Sequence, residues 1–427
     1  MTGTTVLLLD AAGPESAALA RAAAARGHQV HAATAAERPA PAPNLAGRVV
    51  TDFARPDRAV EDITAYARRR GVEAVLTANE YLTETAALVC AELGLPGNDP
   101  HLAHAARDKA AMASVLTAAG VHVPCTRLVH DDAELHDALT DPVVGSPCVI
   151  KPIGGAGSAG VTVVTSPAQA AAAADTAREA RSRYDRGATG VLVQAYAAGA
   201  EYSVESVTQE GVTTHLAVTR KAVTGGVRRV ETGHSLPARV PPATETALHR
   251  QVGAAIRAVG IRHGASHTEV VIAPDGRCTV LEIAARLGAG HIGILLQHAL
   301  GIDIFAALVD VALGRPAALA PTAHGHATVR FVTAPCAGRL TSVAGFPKPG
   351  PGVPFVRWRA AIGSPVKAAG VNADRLGAFV VTGPDAAEVE QRAELLARQI
   401  HVRVDAATPE LCEPDQLNSA SRPDIAP

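Results

Sequence analysis

The sequence is short of lysine: of its 39 basic residues, five are Lys (109, 151, 221, 348 and 367) and the other 34 are Arg. Aromatic residues make up only 3% of it, too few for the stacking platforms that hold single-stranded nucleic acid. Excess charge is missing as well. A net charge of −2 excludes the basic field that would draw nucleic acid or an anionic membrane. No stretch approaches the roughly 20 apolar residues of a membrane span, and the opening MTGTTVLLLDAAG lacks the basic start of a secretion signal. The six cysteines (Cys90, Cys125, Cys148, Cys278, Cys336 and Cys412) include no C-x-x-C pair. Free thiols in a cytoplasmic protein are therefore expected.

The chain has 427 residues, 48% of them hydrophobic and 19% charged, enough for a soluble protein of two or three domains. TTVLLLD (4–10), an Ala-rich helix (14–28), HQVHAAT, RVVTD, a helix (57–70), VEAVLTAN (72–79) and a helix near 82–94 alternate as a doubly wound parallel α/β sheet should. No glycine fingerprint comes after the first strand, so this unit is not read as a nicotinamide site. GLPGNDP (94–100) marks a boundary. Asp108 then caps a helix that runs to Gly120. A long Ala helix is expected over 167–183 and another helix over 243–259. From about 316, short strands and one helix (385–399) form a small α+β unit, and the last residues, polar and Pro-rich, are expected to be disordered.

Residues 149–161, VIKPIGGAGSAGV, pose a phosphate question. Lys151 precedes the glycines, whereas a Walker loop needs its Lys after them. Gly155, Gly157 and Gly160 fit G-x-G-x-x-G, but they lead into VTVVT (161–165), a strand and not the helix of a dinucleotide site. The loop therefore joins two strands, as a hairpin whose backbone N–H groups can lie over a triphosphate. Where Arg so outnumbers Lys, a Lys that persists marks a place for a compact ammonium. Lys109, Lys151 and Lys221 all fall in such motif regions.

In ASHTEVVIAPDGRCTVLEIAARLGAG (265–290), two β-rich runs meet at Asp275–Gly276. A two-residue Asp-Gly hairpin would pair Ala273 with Cys278 and, further out, Glu269 with Glu282. Two carboxylates facing each other about 5 Å apart repel, and a hard divalent cation bridged to phosphate would relieve that cost. Arg286, four residues past Glu282, adds a cation that can reach the same phosphate.

Together these segments resemble the ATP-grasp superfamily from about Asp108 to Arg286. The resemblance implies an ATP-grasp α/β fold. An N-terminal Rossmann-like domain (1–95) precedes the ATP-grasp domain (96–315) with its mobile lid (about 122–205), a C-terminal α+β subdomain (316–410) and a tail (411–427). RDKAAM supplies Lys109 and VIKPIGGAGSAGV supplies Lys151 with Gly155, Gly157 and Ser158. VQAYAAGAEYSVE supplies the adenine hinge and ribose contact, Gln194, Tyr196 and Glu201, although Glu is common where Gln194 stands. Lys221 completes the implied ATP contacts. Glu269 and Glu282 become ligands of Mg²⁺ (or Mn²⁺), and Arg286 becomes catalytic. Many members carry Asn where Ala284 stands, which removes a third oxygen. RKAVTGGVRRVETGHSLPA and the C-terminal unit resemble the L-amino-acid ligases, which places His234 in a substrate pocket. The implied reaction joins a carboxylate and an amine, both amino acids, through an acylphosphate, with release of ADP and phosphate. A homodimer is one expected assembly; nucleic acid and membrane are not expected partners. A carboxylase, a purine-pathway ligase or a non-catalytic nucleotide-binding module shares the nucleotide motifs and stays open.

Overall fold

The computed structural model describes residues 3–35, 45–180, 184 and 189–406. The expected tail and residues 181–183 of the expected Ala helix lie outside them.

The N-terminal domain holds β1 (Thr5–Leu9), α1 (Pro14–Ala25), β2 (Gln29–Thr34), β3 (Gly47–Val50), α2 (Pro56–Arg70), β4 (Val72–Thr77) and α3 (Thr83–Leu93). Its strands are all parallel, in the order β3-β2-β1-β4. β1, TVLLL, is buried at every position and apolar from Val6 onward, as suits a strand covered by helices on both faces. β4 ends at Thr77, and a short turn, Glu80–Leu82, comes next at the carboxyl edge of the sheet.

Next come α4 (Lys109–Ala118), β5 (Thr126–Val129), α5 (Asp132–Thr140), β6 (Cys148–Lys151), β7 (Thr162–Val164), α6 (Ala170–Glu179) and β8 (Val191–Ala195). β5, β8, β6 and β7 form an antiparallel sheet of their own. The glycine-rich segment joins β6 to β7, which pair in register from Cys148↔Val164 to Ile150↔Thr162.

The rest is organised by one eight-stranded antiparallel sheet. β9 (Ala200–Gln209), β10 (Val212–Val223) and β11 (Glu231–Leu236) precede α7 (Pro242–Ala258). β12 (Gly264–Ile272), β13 (Cys278–Ala284), α8 (Ile292–Leu300) and α9 (Ile304–Ala312) come after it. The C-terminal unit adds β14 (His326–Val332), β15 (Gly338–Ala344), β16 (Phe355–Trp358), β17 (Pro365–Val366), β18 (Gly377–Gly383), α10 (Ala386–Arg398) and β19 (His401–Ala406). β14, β18 and β16 extend the central sheet through the β11–β14 pair, while β17, β15 and β19 form a small sheet beside it. The C-terminal unit is thus continuous with the central sheet.

One apolar core binds the N-terminal sheet to the centre. Val6, Leu8 and Leu19 pack in the same cluster as Leu295, Leu296, Leu308 and Val309. This packing fixes the carboxyl edge of β4 over the end of β13. Among the described residues no single helix is long and apolar enough to cross a membrane; the apolar pair α8 and α9 meets at 109° and is buried in this core. Cys90, Cys125, Cys148 and Cys278 are free. Cys336 is held in a disulfide, which corrects the expectation of six free thiols.

Candidate active site

A cavity opens between the β5–β8–β6–β7 sheet, the central sheet and the turn after β4. Every expected site residue lines it except His234.

Its floor is the β12–β13 hairpin. The expected two-residue Asp-Gly turn is not what forms. Ala273 pairs with Arg277, its N–H donating to the Arg277 carbonyl at 3.0 Å, so three residues make the loop and Gly276 takes the left-handed conformation at φ 82°. The strands then pair one residue out of the expected register, from Ile272↔Cys278 to Val270↔Val280. A β-bulge at Leu281 restores it, and Glu269 does stand opposite Glu282. The bulge has a further effect. With the alternation interrupted, neighbouring Leu281 and Glu282 both line the cavity.

The repulsion between the two carboxylates is answered by lysines. The Lys109 ammonium lies 2.9 Å from Glu282. The Lys221 ammonium bonds Glu269 and also lies 2.8 Å from Glu231. Burial alone would raise the Glu269 pKa, but Lys221 and His267 outweigh it and hold the group charged, far below the usual carboxylate range. No group of three or more His, Cys, Asp or Glu among the described residues is gathered for a metal. A facing carboxylate pair nonetheless fits Mg²⁺ or Mn²⁺, since such an ion in a phosphate site takes its other oxygens from water and substrate. Ala284 brings no oxygen. Opposite it stands His267, whose Nδ1 lies 2.9 Å from the buried Glu205 and whose Nε2 lies 3.5 Å from Glu269.

The lysines and the glycine loop are positioned together. Asp108 caps α4 by accepting from Ala110 N and Ala111 N at 2.8 and 2.9 Å. This turns Lys109 toward the loop, where its Nζ donates to the Gly155 carbonyl at 2.6 Å. Lys151, at the end of β6, donates to Gln194 Oε1 at 3.0 Å, and Gln194 donates to Thr126 at 2.8 Å. Burial lowers the Lys151 pKa to about 8. Gly157 and Ser158 both adopt positive φ, at 64° and 62°, which turns the loop over the cavity. Across from it, Glu201 is ion-paired with Arg229.

Arg286 is clamped by a residue from another domain. Its Nε donates to Glu80 at 3.1 Å, its Nη2 bonds the same oxygen, and Nη1 donates to the Leu287 carbonyl at 2.9 Å. Arg107 pairs with the other Glu80 oxygen at 3.3 Å. Burial would raise the Glu80 pKa, but Arg286, Lys109 and Arg107 prevail and bring it down to about 2.

Comparison with known families and structures fits this geometry. Residues 144–294 match an ATP-grasp domain, residues 20–97 an ATP-grasp N-terminal domain, and residues 330–405 the L-amino acid ligase C-terminal domain 2. The chain carries an ATP-grasp domain and an ATP-grasp N-terminal domain. Its curated relatives include the alanine–anticapsin ligase of Bacillus subtilis, 25% identical over 60% of this chain and 57% of that protein. They also include carnosine synthase 1 of Gallus gallus, 29% identical over 74% of this chain and 36% of that one. An uncharacterized protein, y4rH, of Sinorhizobium fredii is 27% identical over 73% of this chain. The match spans less than two thirds of each of these relatives, at most 64% of their length. Among solved structures, an L-amino acid ligase from Bacillus licheniformis superposes with a TM-score of 0.80, 19% identical, over 95% of this chain and 99% of its own. A phosphoribosylglycinamide synthetase from Anaerococcus prevotii gives 0.70, 16% identical, over 94% and 100%. These identities show the shared fold alone.

In this ATP-grasp chain His234 sits behind the cavity wall. It is 2% exposed, edge-on to Phe331 at 5.3 Å, with Nε2 3.5 Å from Glu231. Its Nδ1 has no hydrogen-bond partner. Glu231, not His234, reaches the cavity, because the strand irregularity near Ala222 carries the β10–β11 pairing from Gly233 to Glu231 in one step. The sequence reading also missed Glu80, Glu205, Glu231, His267 and Asn372. Glu80 had a usable signal, since it lies just past the carboxyl end of a parallel strand, where open α/β sheets bind ligands.

Proposed function

We propose that this chain is an ATP-dependent carboxylate–amine ligase that forms an amide of the dipeptide type and releases ADP and phosphate. The observation that carries this is the convergence in one cavity of the glycine loop, Lys109, Lys151, Arg286 and the facing pair Glu269 and Glu282. The ligase reading is preferred to other ATP-grasp reactions because the C-terminal unit matches the L-amino acid ligase C-terminal domain.

Lys109 and Lys151 would bind the phosphates as compact cations. Glu269 and Glu282 would hold Mg²⁺, which supplies charge neutralisation across the phosphates when bound. Gln194, Tyr196 and Glu201 would face the nucleoside. A substrate carboxylate attacks the γ-phosphorus, ADP leaves, and the acylphosphate waits for the amine under a loop that excludes water. The amine adds to the acyl carbon, and Arg286, held in place by Glu80, stabilises the oxyanion before phosphate departs. His234, through Glu231, sets the wall on which the amino acid rests. An ADP-release screen of amino acids, singly and in pairs, with bicarbonate as a separate arm, tests the reading. Release that needs a pair of amino acids supports it. Release that needs bicarbonate points to a carboxylase, and no release in any arm would remove the ligase assignment.

A further inference from the structure

The C-terminal unit reaches the nucleotide cavity through one residue. Of the described residues lining it, only Asn372 lies beyond Arg286 in the chain. Its side chain bridges Glu231 twice, accepting from the Glu231 N–H at 3.0 Å and donating to the Glu231 carboxylate at 3.0 Å. Its backbone N–H donates to the carbonyl of Gly157, at the tip of the glycine loop, at 3.2 Å.

The turn that presents Asn372 is braced independently of the loop. Asp374 accepts from the N–H groups of Gly370 and Val371, both at 2.9 Å. Arg375 donates to the Glu231 carboxylate at 2.7 Å and stacks 3.7 Å from the Phe331 ring centroid. The loop base is tied to the central domain, with Arg107 donating to Gly154 O at 2.8 Å and Lys109 to Gly155 O at 2.6 Å. Within the tip, the turn bonds Ala159 N to Ala156 O and Val161 N to Ser158 O are long, at 3.3 Å each. Asn372 therefore supplies the tip with an anchor from a rigid neighbour.

We propose that the turn 370–375 is the fixed jaw against which the glycine loop closes, with Asn372 as the positioning residue that couples the loop to Glu231. This rests on the ligase reading of the cavity and adds a role for the C-terminal unit in nucleotide retention. A loop held at base and tip keeps water from an activated carboxylate; one held only at its base leaks.

Two variants separate the side-chain and backbone contacts. Asn372→Ala removes the bridge to Glu231 and keeps the N–H. Asn372→Pro removes both, and the site accepts it, since Val371 is extended at φ −145° and ψ 163° and Asn372 opens a helical turn, where Pro is tolerated. Asn372→Pro should bind ADP or ATP about 2- to 13-fold more weakly than Asn372→Ala, the range of one hydrogen bond. It should also be cut faster at residues 154–160 with nucleotide present and release more ADP per amide. Equal affinity and equal protection in the two variants would overturn the jaw.

The second test does not depend on either variant. A Cβ built on Gly157 lies 3.8 Å from the Asn372 Cβ, the separation of a disulfide. Gly157→Cys combined with Asn372→Cys should cross-link on oxidation and lose most turnover until reduced. No cross-link with or without nucleotide contradicts the proposal. If the wild-type protein binds no nucleotide, the ligase reading fails and the jaw with it. If it binds and the variants behave alike, the jaw alone fails.

Discussion

Glu80→Gln tests the interdomain clamp most sharply. Glu80 is 7% exposed and faces Arg286 and Arg107, whose side chains are 14% and 10% exposed. Breaking one partner of a buried pair costs about 3–5 kcal/mol. Linkage gives a second route. Lowering a carboxyl from 4.5 to about 2 corresponds to about 3 kcal/mol at neutral pH, at roughly 1.4 kcal/mol per unit. The two agree, and about 3 kcal/mol becomes roughly 6–12 °C in the melting of a domain of some 200 residues. The pH dependence has a definite sign. A depressed carboxyl stabilises fully above its unfolded value of 4.5 and loses that contribution as pH falls toward 2. The wild type should therefore lose this advantage over the variant between about pH 4.5 and 2. Thermal unfolding at pH 7 and at pH 3, beside ADP release at pH 7, measures both. A variant that melts within about 1 °C of wild type at pH 7 and turns over equally would refute the clamp.

Three further outcomes are expected from the same geometry. Glu282→Gln should abolish ADP formation in a protein that still folds, with Mn²⁺ binding by electron spin resonance lost in parallel; unchanged Mn²⁺ binding would move the metal elsewhere. Because the Lys151 pKa is about 8, nucleotide affinity by calorimetry should be flat below pH 8 and fall above it, with Lys151→Arg removing the fall; a flat wild-type profile to pH 9.5 would count against Lys151 as a phosphate cation. His234→Ala should leave nucleotide affinity intact and lower kcat/KM for the amino acid roughly 10- to 150-fold, the worth of one hydrogen bond to a charged group, whereas a collapse of nucleotide affinity would make His234 a residue of the nucleotide site.

What was legible in the sequence was local. The β–α alternation of the first 93 residues reads from buried runs such as TVLLL, because a parallel sheet covered on both faces demands them. The glycine hairpin reads because strand-forming residues flank it on both sides. The carboxylate pair reads less securely: the turn type was mistaken, and Glu269 met Glu282 only because the Leu281 bulge offset the longer loop. Contacts between distant residues left no local trace. Arg286 finds Glu80 across 206 residues, and Glu231 finds Asn372 across 141. The β11–β14 pairing that joins the C-terminal unit to the central sheet is likewise set by docking.

The central claim is that a carboxylate oxygen attacks the γ-phosphorus, and oxygen transfer measures it most directly. An amino acid labelled with ¹⁸O in both carboxylate oxygens would be turned over with ATP and an amine partner, and the released phosphate analysed by mass. One ¹⁸O should appear in phosphate for each amide formed. Amide formation with unlabelled phosphate would contradict the account.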